Sequence, residues 1–142
     1  VAGLECKALG IAETAAIPWQ AINRLVVVDT RQRGRISHVA QLLDRPDVAV
    51  ELWDHHPDTA DDITTPHTHL AHIGSVTSLI VQTIADRGLS LSADDATLLG
   101  LGIYSDTGSF TYSSTTQADF QSAAWLLGQG MDLNRVDALA AH

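Results

Sequence analysis

Five residues, Leu25-Val26-Val27-Val28-Asp29, set the tightest limit on what this chain can fold into. The run is branched and apolar, does not alternate in polarity, and stops at an acid. Such a run predicts a strand buried on both faces, the habit of a parallel sheet. A second run, Val48-Ala49-Val50-Glu51-Leu52-Trp53, also ends in polar residues, Asp54-His55-His56. Between them Ser37 to Leu43 has the apolar spacing of a short helix, and Asp44-Arg45-Pro46-Asp47 reads as a turn. Strand, helix and strand in that order imply a right-handed crossover and an α/β sheet.

The rest of the chain continues the pattern without repeats or low-complexity stretches. Residues 1–24 are an Ala-rich lead-in broken by Pro18 and Trp19, and residues 57–67 form a polar loop. Leu70 to Ile73 is expected as a third strand. Gly74-Ser75 opens a helix running to Arg87 and closed by Gly88. Ser92 is expected to cap a helix that carries Asp94 and Asp95 in its first turn and runs to Tyr104. Thr107 to Thr115 is a hydroxyl-rich loop around Gly108. Thr116 caps another helix, with Phe120, Ala123, Ala124 and Leu127 on one face, and a short terminal helix starts from Asp132. Trp19, Trp53 and Trp125 are expected as core anchors.

At 142 residues the chain is about one domain, and its formal charge of −9 disfavours a module that coats nucleic acid with a basic face. An enzyme reaching phosphates through bound cations stays open, because cations reverse the local field. Cys6 is the single cysteine, so no intramolecular disulfide forms, and a reducing cytoplasm is the expected location. No apolar run approaches the ~18–20 residues of a membrane span, and Glu5 and Lys7 interrupt any leader-like start. Membrane association is therefore not expected.

Ligands of open α/β sheets sit at the carboxyl ends of the strands. There the chain places Asp29 after the first strand and Asp54-His55-His56 after the second. An Asp after a strand is also an ordinary turn residue, and two histidines in a loop are also ordinary solvated side chains. Asp106, in Ser105-Asp106-Thr107-Gly108-Ser109, falls at a helix C-terminus, where a carboxylate opposes the dipole. A cation would offset that. Asp29, His55 and Asp106 form a hard-oxygen and imidazole set that suits Mn²⁺ or Mg²⁺, with Mn²⁺ favoured by the imidazole. Two cations bridged by carboxylates would serve phosphate-ester hydrolysis.

Three segments carry a family resemblance: Val27-Val28-Asp29-Thr30, Leu52-Trp53-Asp54-His55-His56-Pro57, and Leu99 through Phe110 with its Ser-Asp-Thr-Gly-Ser core. In order and spacing they resemble motifs of the DHH phosphoesterase superfamily over roughly residues 20–135. Ala96 through Thr116, with Ala123-Ala124-Trp125-Leu126-Leu127, is most similar to one branch. In that branch the DHH domain is fused ahead of CBS domains and a tRNA nucleotidyltransferase (poly(A) polymerase-like) head. The resemblance implies a three-layer α/β/α sandwich with a mostly parallel sheet. It also implies a Mn²⁺-dependent, two-metal phosphoesterase. Asp29 would bridge the metals, His55 would bind one, and Asp106 would bridge or cap both. Asp54 would orient its neighbours, and His56 would contact substrate phosphate. Gly74 and Ser75 would lie beside the site, where a helix N-terminus holds an anion, or would form a simple helix cap.

The family's Asp-x-Asp pair has no counterpart before Asp29, where the acids are Glu5 and Glu13. Residues 1–142 are thus expected to be a partial DHH domain lacking its first strand, with an exposed strand edge that invites pairing with a second copy. The expected function is hydrolysis of phosphodiester or phosphoanhydride bonds in short RNA, nucleotides or another phosphate-containing small molecule. The parent would be a larger protein that reaches tRNA through attached domains, and the isolated piece is expected to be weakly active. The alternative is a nucleotide- or RNA-binding accessory module with reduced or lost catalysis. Arg31, Arg33 and Arg35 read as a solvated basic loop or as a phosphate-steering one. His67, His69 and His72 read as structural or exposed. Tyr104, Phe110 and Tyr112 could stack a base.

Overall fold

The computed structural model describes residues 14–140. The expected lead-in over residues 1–24 lies partly outside that range; Thr14–Ala16 and Trp19–Ala21 are single 3₁₀ turns. Three strands follow, β1 (Arg24–Val28), β2 (Ala49–Asp54) and β3 (His67–Leu70). They form one sheet in the order β1-β2-β3, parallel throughout. Four helices come after it: α1 (Val76–Asp86), α2 (Ala93–Asp106), α3 (Gln117–Gly128) and α4 (Leu133–Ala140). The expected α/β class is the one observed.

Register shows why the sheet has one dry face. Leu25 pairs with Val50 and Val27 with Leu52, so these four share a side. Ile36, Val39, Leu43 and Ile63 pack against them. The opposite face carries Val26 and Val28, which are 48% and 50% exposed, opposite Glu51 and Trp53. The expectation that β1 is buried on both faces is therefore corrected: among the described residues no apolar layer covers Val26 and Val28. On that face Trp53 is half-buried and stacks on His69 at 3.9 Å, a supporting pair rather than a core anchor.

Two other expectations shift. Ser37 to Leu43 does not make an α-helix; the segment folds as 3₁₀ turns at Arg33–Ile36 and Ala40–Asp44, which bury Ile36, Ala40 and Leu42. A stretch this short gains too few hydrogen bonds to nucleate a helix alone. The third strand lies at His67–Leu70, earlier than Leu70–Ile73. Backbone pairing of Glu51 with His67 and of Asp54 with Leu70 places it, so its register follows the ladder and not an apolar run.

The helices build a second core from Val81, Ala96, Ile103, Leu126, Met131 and Val136. Each of these side chains except Ala96 contributes about 1.5–3 kcal/mol on burial. Their limits follow local chemistry. Ser75 caps α1 by accepting the Ser78 N–H, Ser92 caps α2 by accepting the Asp95 N–H, and Thr116 with Asp119 forms a capping box on α3. Gly88, at φ +66°, ends the first of these helices. Gly100 allows the Met131 side chain to close on α2, since a Cβ there would stand 2.0 Å from its sulfur. The face of α3 expected to be buried is only partly so: Phe120 and Leu127 stay half-exposed along an apolar groove, while Asp119, Ser122 and Leu126 turn inward.

Candidate metal centre

The carboxyl end of the sheet gathers the polar side chains. Asp29 directly follows β1, and its N–H extends the ladder to the Trp53 carbonyl at 2.9 Å. It then adopts φ +66°, a left-handed conformation that costs a non-glycine residue about 1 kcal/mol and that Asp tolerates better than most. His55 and His56 leave the end of β2 with rings 4.4 Å apart.

Each imidazole is fixed by its Nδ1. That of His55 donates to the Ile73 carbonyl at 2.9 Å, and that of His56 donates to Asp54 Oδ1 at 2.7 Å. Histidines tied at one nitrogen to a carbonyl or carboxylate are oriented for coordination through the other. His55 Nε2 stands 3.3 Å from Asp29 Oδ1 and 3.8 Å from Asp106 Oδ2. Asp29, His55 and His56 can each offer one ligand atom within 4.8 Å of the others. Asp29, His55 and Asp106 thus come together from β1, β2 and the last turn of α2. His56 lies beside them, with a ring nitrogen within 4.8 Å of the Asp29 and His55 ligand atoms.

Asp106 bears the electrostatic cost of this grouping. Burial first, and then the Asp29 carboxylate, push its pKa above the ordinary range, against the pull of His55 and His56. Two carboxylates around an imidazole nitrogen are donors suited to a divalent cation, so the residues fit one.

Asp54 is buried behind His56. Burial pushes its carboxyl up, but hydrogen bonds from His56, Arg31 and the backbone of His55 and His56 outweigh that, and its pKa lies below the usual range. The three arginines after β1 separate. Arg31 is buried among acids, Arg33 pairs with Asp44, and exposed Arg35 lines a cleft of about 270 Å³ that also touches Asp29 and His56. Arg35 makes no ion pair among the described residues.

Gly74 and Ser75 are both buried, and Ser75 takes the helix-cap role that is the alternative to an anion site. Asp119 occupies that place: its carboxylate accepts the Gly74 N–H at 2.8 Å, the Ser78 hydroxyl at 2.7 Å and the Thr116 N–H at 2.8 Å. Ser75 itself is fully buried. Sequence reasoning missed Asp119, and it read Arg31 as part of a solvated or phosphate-steering loop where the structure buries it on Asp54. The Thr116-x-x-Asp119 spacing signalled a cap, but nothing local pointed to a partner 45 residues away. Phe110 meets Tyr104 edge-on at 5.8 Å and stacks on Phe120 at 4.7 Å, so its ring is engaged internally. Of the remaining histidines, His67 and His72 are exposed, and His69 lies between Trp53 and Glu51.

No family model matches the chain. It is 38% identical over 129 residues to an A-adding tRNA nucleotidyltransferase of Geobacter sulfurreducens, covering 91% of this chain and 15% of that protein. It is 38% identical over 97 residues to the bifunctional oligoribonuclease and PAP phosphatase NrnA of Mycoplasma pneumoniae, covering 64% of this chain and 28% of that one. The chain thus spans well under a third of either relative. Among solved structures, an exopolyphosphatase-related protein from Bacteroides fragilis superposes with a TM-score of 0.73 at 22% identity, over 86% of this chain and 36% of its own. A putative family II inorganic pyrophosphatase of Methanococcus jannaschii gives 0.59 at 20% identity, over 78% of this chain and 38% of its own. These two likenesses concern the fold.

Proposed function

Because the chain belongs to the DHH superfamily, we propose that it is the metal-binding part of a phosphoesterase that cleaves phosphodiester or phosphoanhydride bonds in nucleotides or short RNA. The observation that carries this reading is His55, held through Nδ1 by Ile73 with Nε2 turned to Asp29 and Asp106. Asp29, His55 and Asp106 would hold the cation, Mn²⁺ before Mg²⁺, with the two carboxylates supplying its oxygen donors and His55 its nitrogen. A divalent cation there supplies charge neutralisation for phosphate and acidifies water.

The protein side chains do the rest. His56 presents Nε2 to the cleft and contacts a phosphate oxygen, while Asp54 keeps that ring in place. Arg35 offers its guanidinium to a further phosphate of the same substrate, as guanidinium forks do. Hydrolysis consumes one water, whose oxygen bonds to phosphorus as the ester or anhydride oxygen departs. In its parent the chain would be a partial DHH domain over residues 1–142, within a larger tRNA nucleotidyltransferase-type protein of the cytoplasm. No described helix is long and apolar enough to cross a membrane.

One feature favours a second reading. Among the described residues, Asp29 and Asp106 are the two carboxylates near His55 Nε2, whereas such cations take about six mostly oxygen donors. A nucleotide- or RNA-binding accessory module with reduced catalysis would need no more. A Mn²⁺ titration by calorimetry, with hydrolysis of short RNA and of pyrophosphate followed in parallel, separates the two. Binding of two ions with turnover supports the phosphoesterase. Nucleotide binding with no turnover in the full-length parent supports the module.

A further inference from the structure

Arg31 is the one arginine of its loop that goes inward, with only 6% of its surface exposed. Its Nε donates to Asp54 Oδ2 at 2.9 Å, and its Nη2 donates to the backbone carbonyl of His56 at 2.7 Å. Its Nη1 lies 2.8 Å from Asp58 Oδ1 and 3.0 Å from Asp62 Oδ2. Burying a guanidinium is expensive, and an apolar side chain fills space at lower cost. What the guanidinium adds is direction, because its donors form a rigid planar fork.

The fork reaches His56 by two routes. It holds Asp54 through Oδ2, which leaves Oδ1 for His56 Nδ1, and it holds the carbonyl of His56 itself. We propose that Arg31 is a positioning residue for His56: by gripping Asp54 and the His56 backbone together, it keeps the imidazole protonated at Nδ1 with Nε2 bare toward the cleft. Neither a lysine, with one compact head, nor a methionine can hold both acceptors in that geometry. His55 owes its orientation to Ile73 and is independent of Arg31. The consequence for catalysis rests on the phosphoesterase reading; the consequence for the imidazole does not.

The test is nuclear magnetic resonance of isotope-labelled imidazole nitrogens in mildly alkaline buffer, where ordinary histidines are neutral. Wild type should show His56 as the Nδ1–H tautomer. Arg31→Met should move His56 toward the Nε2–H tautomer and leave His55 as it was. If Arg31→Met does not fold, Arg31→Lys is measured and should give a mixture at His56. A wild-type tautomer at His56 in a folded variant would overturn the proposal, as would an equal change at both histidines. Where wild type turns over substrate, Arg31→Lys should lower kcat/KM about tenfold, through the same parameter, KM or kcat, that His56→Ala changes. The same substitution should cost nothing further in a His56→Ala background. Full additivity of the two losses would refute action through His56. Absence of turnover in wild type would count against the phosphoesterase reading alone, and the tautomer would still decide the role of Arg31.

Discussion

The Nδ1–H of His55 meets the carbonyl of Ile73 at 2.9 Å, across 18 residues of chain, and that bond turns the opposite nitrogen toward Asp29 and Asp106. The strand end supplies the histidine, and the segment between β3 and α1 supplies its orientation. A ring free to rotate would present either nitrogen. This one presents Nε2 to two carboxylates that otherwise repel each other.

Removing one of those carboxylates should separate metal binding from folding. Asp106→Asn should weaken Mn²⁺ binding by tenfold or more, on the order expected for losing a ligand. The metal-free protein should melt no lower than wild type, because the substitution relieves repulsion with Asp29. Thermal melts with and without Mn²⁺ check both parts. Unchanged metal affinity would remove Asp106 from the site, and in a complete parent protein hydrolysis should disappear with the affinity.

The two histidines should differ. His55→Ala should abolish the calorimetric Mn²⁺ signal. His56→Ala should keep most of it while raising KM or lowering kcat. The ligand atoms of His56 lie close enough to Asp29 and His55 for the opposite outcome to be informative. Loss of metal binding in His56→Ala would make His56 a ligand.

Metal affinity should depend on pH over an unusually high range for a carboxylate. Burial and Asp29 raise the Asp106 pKa, so the folded protein holds a proton at a pH where the unfolded chain has released it. For this group alone, metal-free stability falls as pH rises through that window, and Mn²⁺, which displaces the proton, binds more tightly over the same range. Calorimetry in two buffers of different ionisation heat should show proton release on binding that grows as the pH is lowered toward the window. A buffer-independent heat throughout would contradict the assignment.

Asp119 should matter for stability and not for the metal. Its pKa is held low against burial by Ser78, Thr116 and Gly74, so its contribution is present above the ordinary carboxylate range and lost as acid protonates it. Asp119→Asn places an amide where donors converge on both oxygens and should cost about 3 kcal/mol. Gly74→Ala should destabilise as well, since its Cβ would stand 2.6 Å from Asp119 Oδ2 and 3.0 Å from Thr107 Cγ2. Denaturant melts measure both. A change of less than about 0.5 kcal/mol in each would refute the buried network.

Arg35 is expected to act on substrate. In a turnover assay Arg35→Gln should raise KM for a substrate carrying two phosphates more than for one carrying a single phosphate, with Mn²⁺ affinity unchanged. Equal effects on both would place Arg35 outside the binding cleft.

What the sequence determined by itself was local or periodic. Branched runs marked β1 and β2, Ser75, Ser92 and Thr116 marked helix starts, and Asp-His-His after a strand marked where chemistry would gather. These signals are legible because each depends on neighbours within a few residues. The tertiary structure alone decided which charged groups face one another. Arg31 and Asp54 are 23 residues apart, and Gly74 and Asp119 are 45 apart. It sent Arg31 inward and left Arg35 at the cleft, although both stand in the same basic loop. It filled the start of α1 with the chain's own carboxylate, and among the described residues it left one face of β1 open. Burying a charge is favourable only where several distant donors or acceptors converge on it, and convergence in space has no period or spacing in the chain.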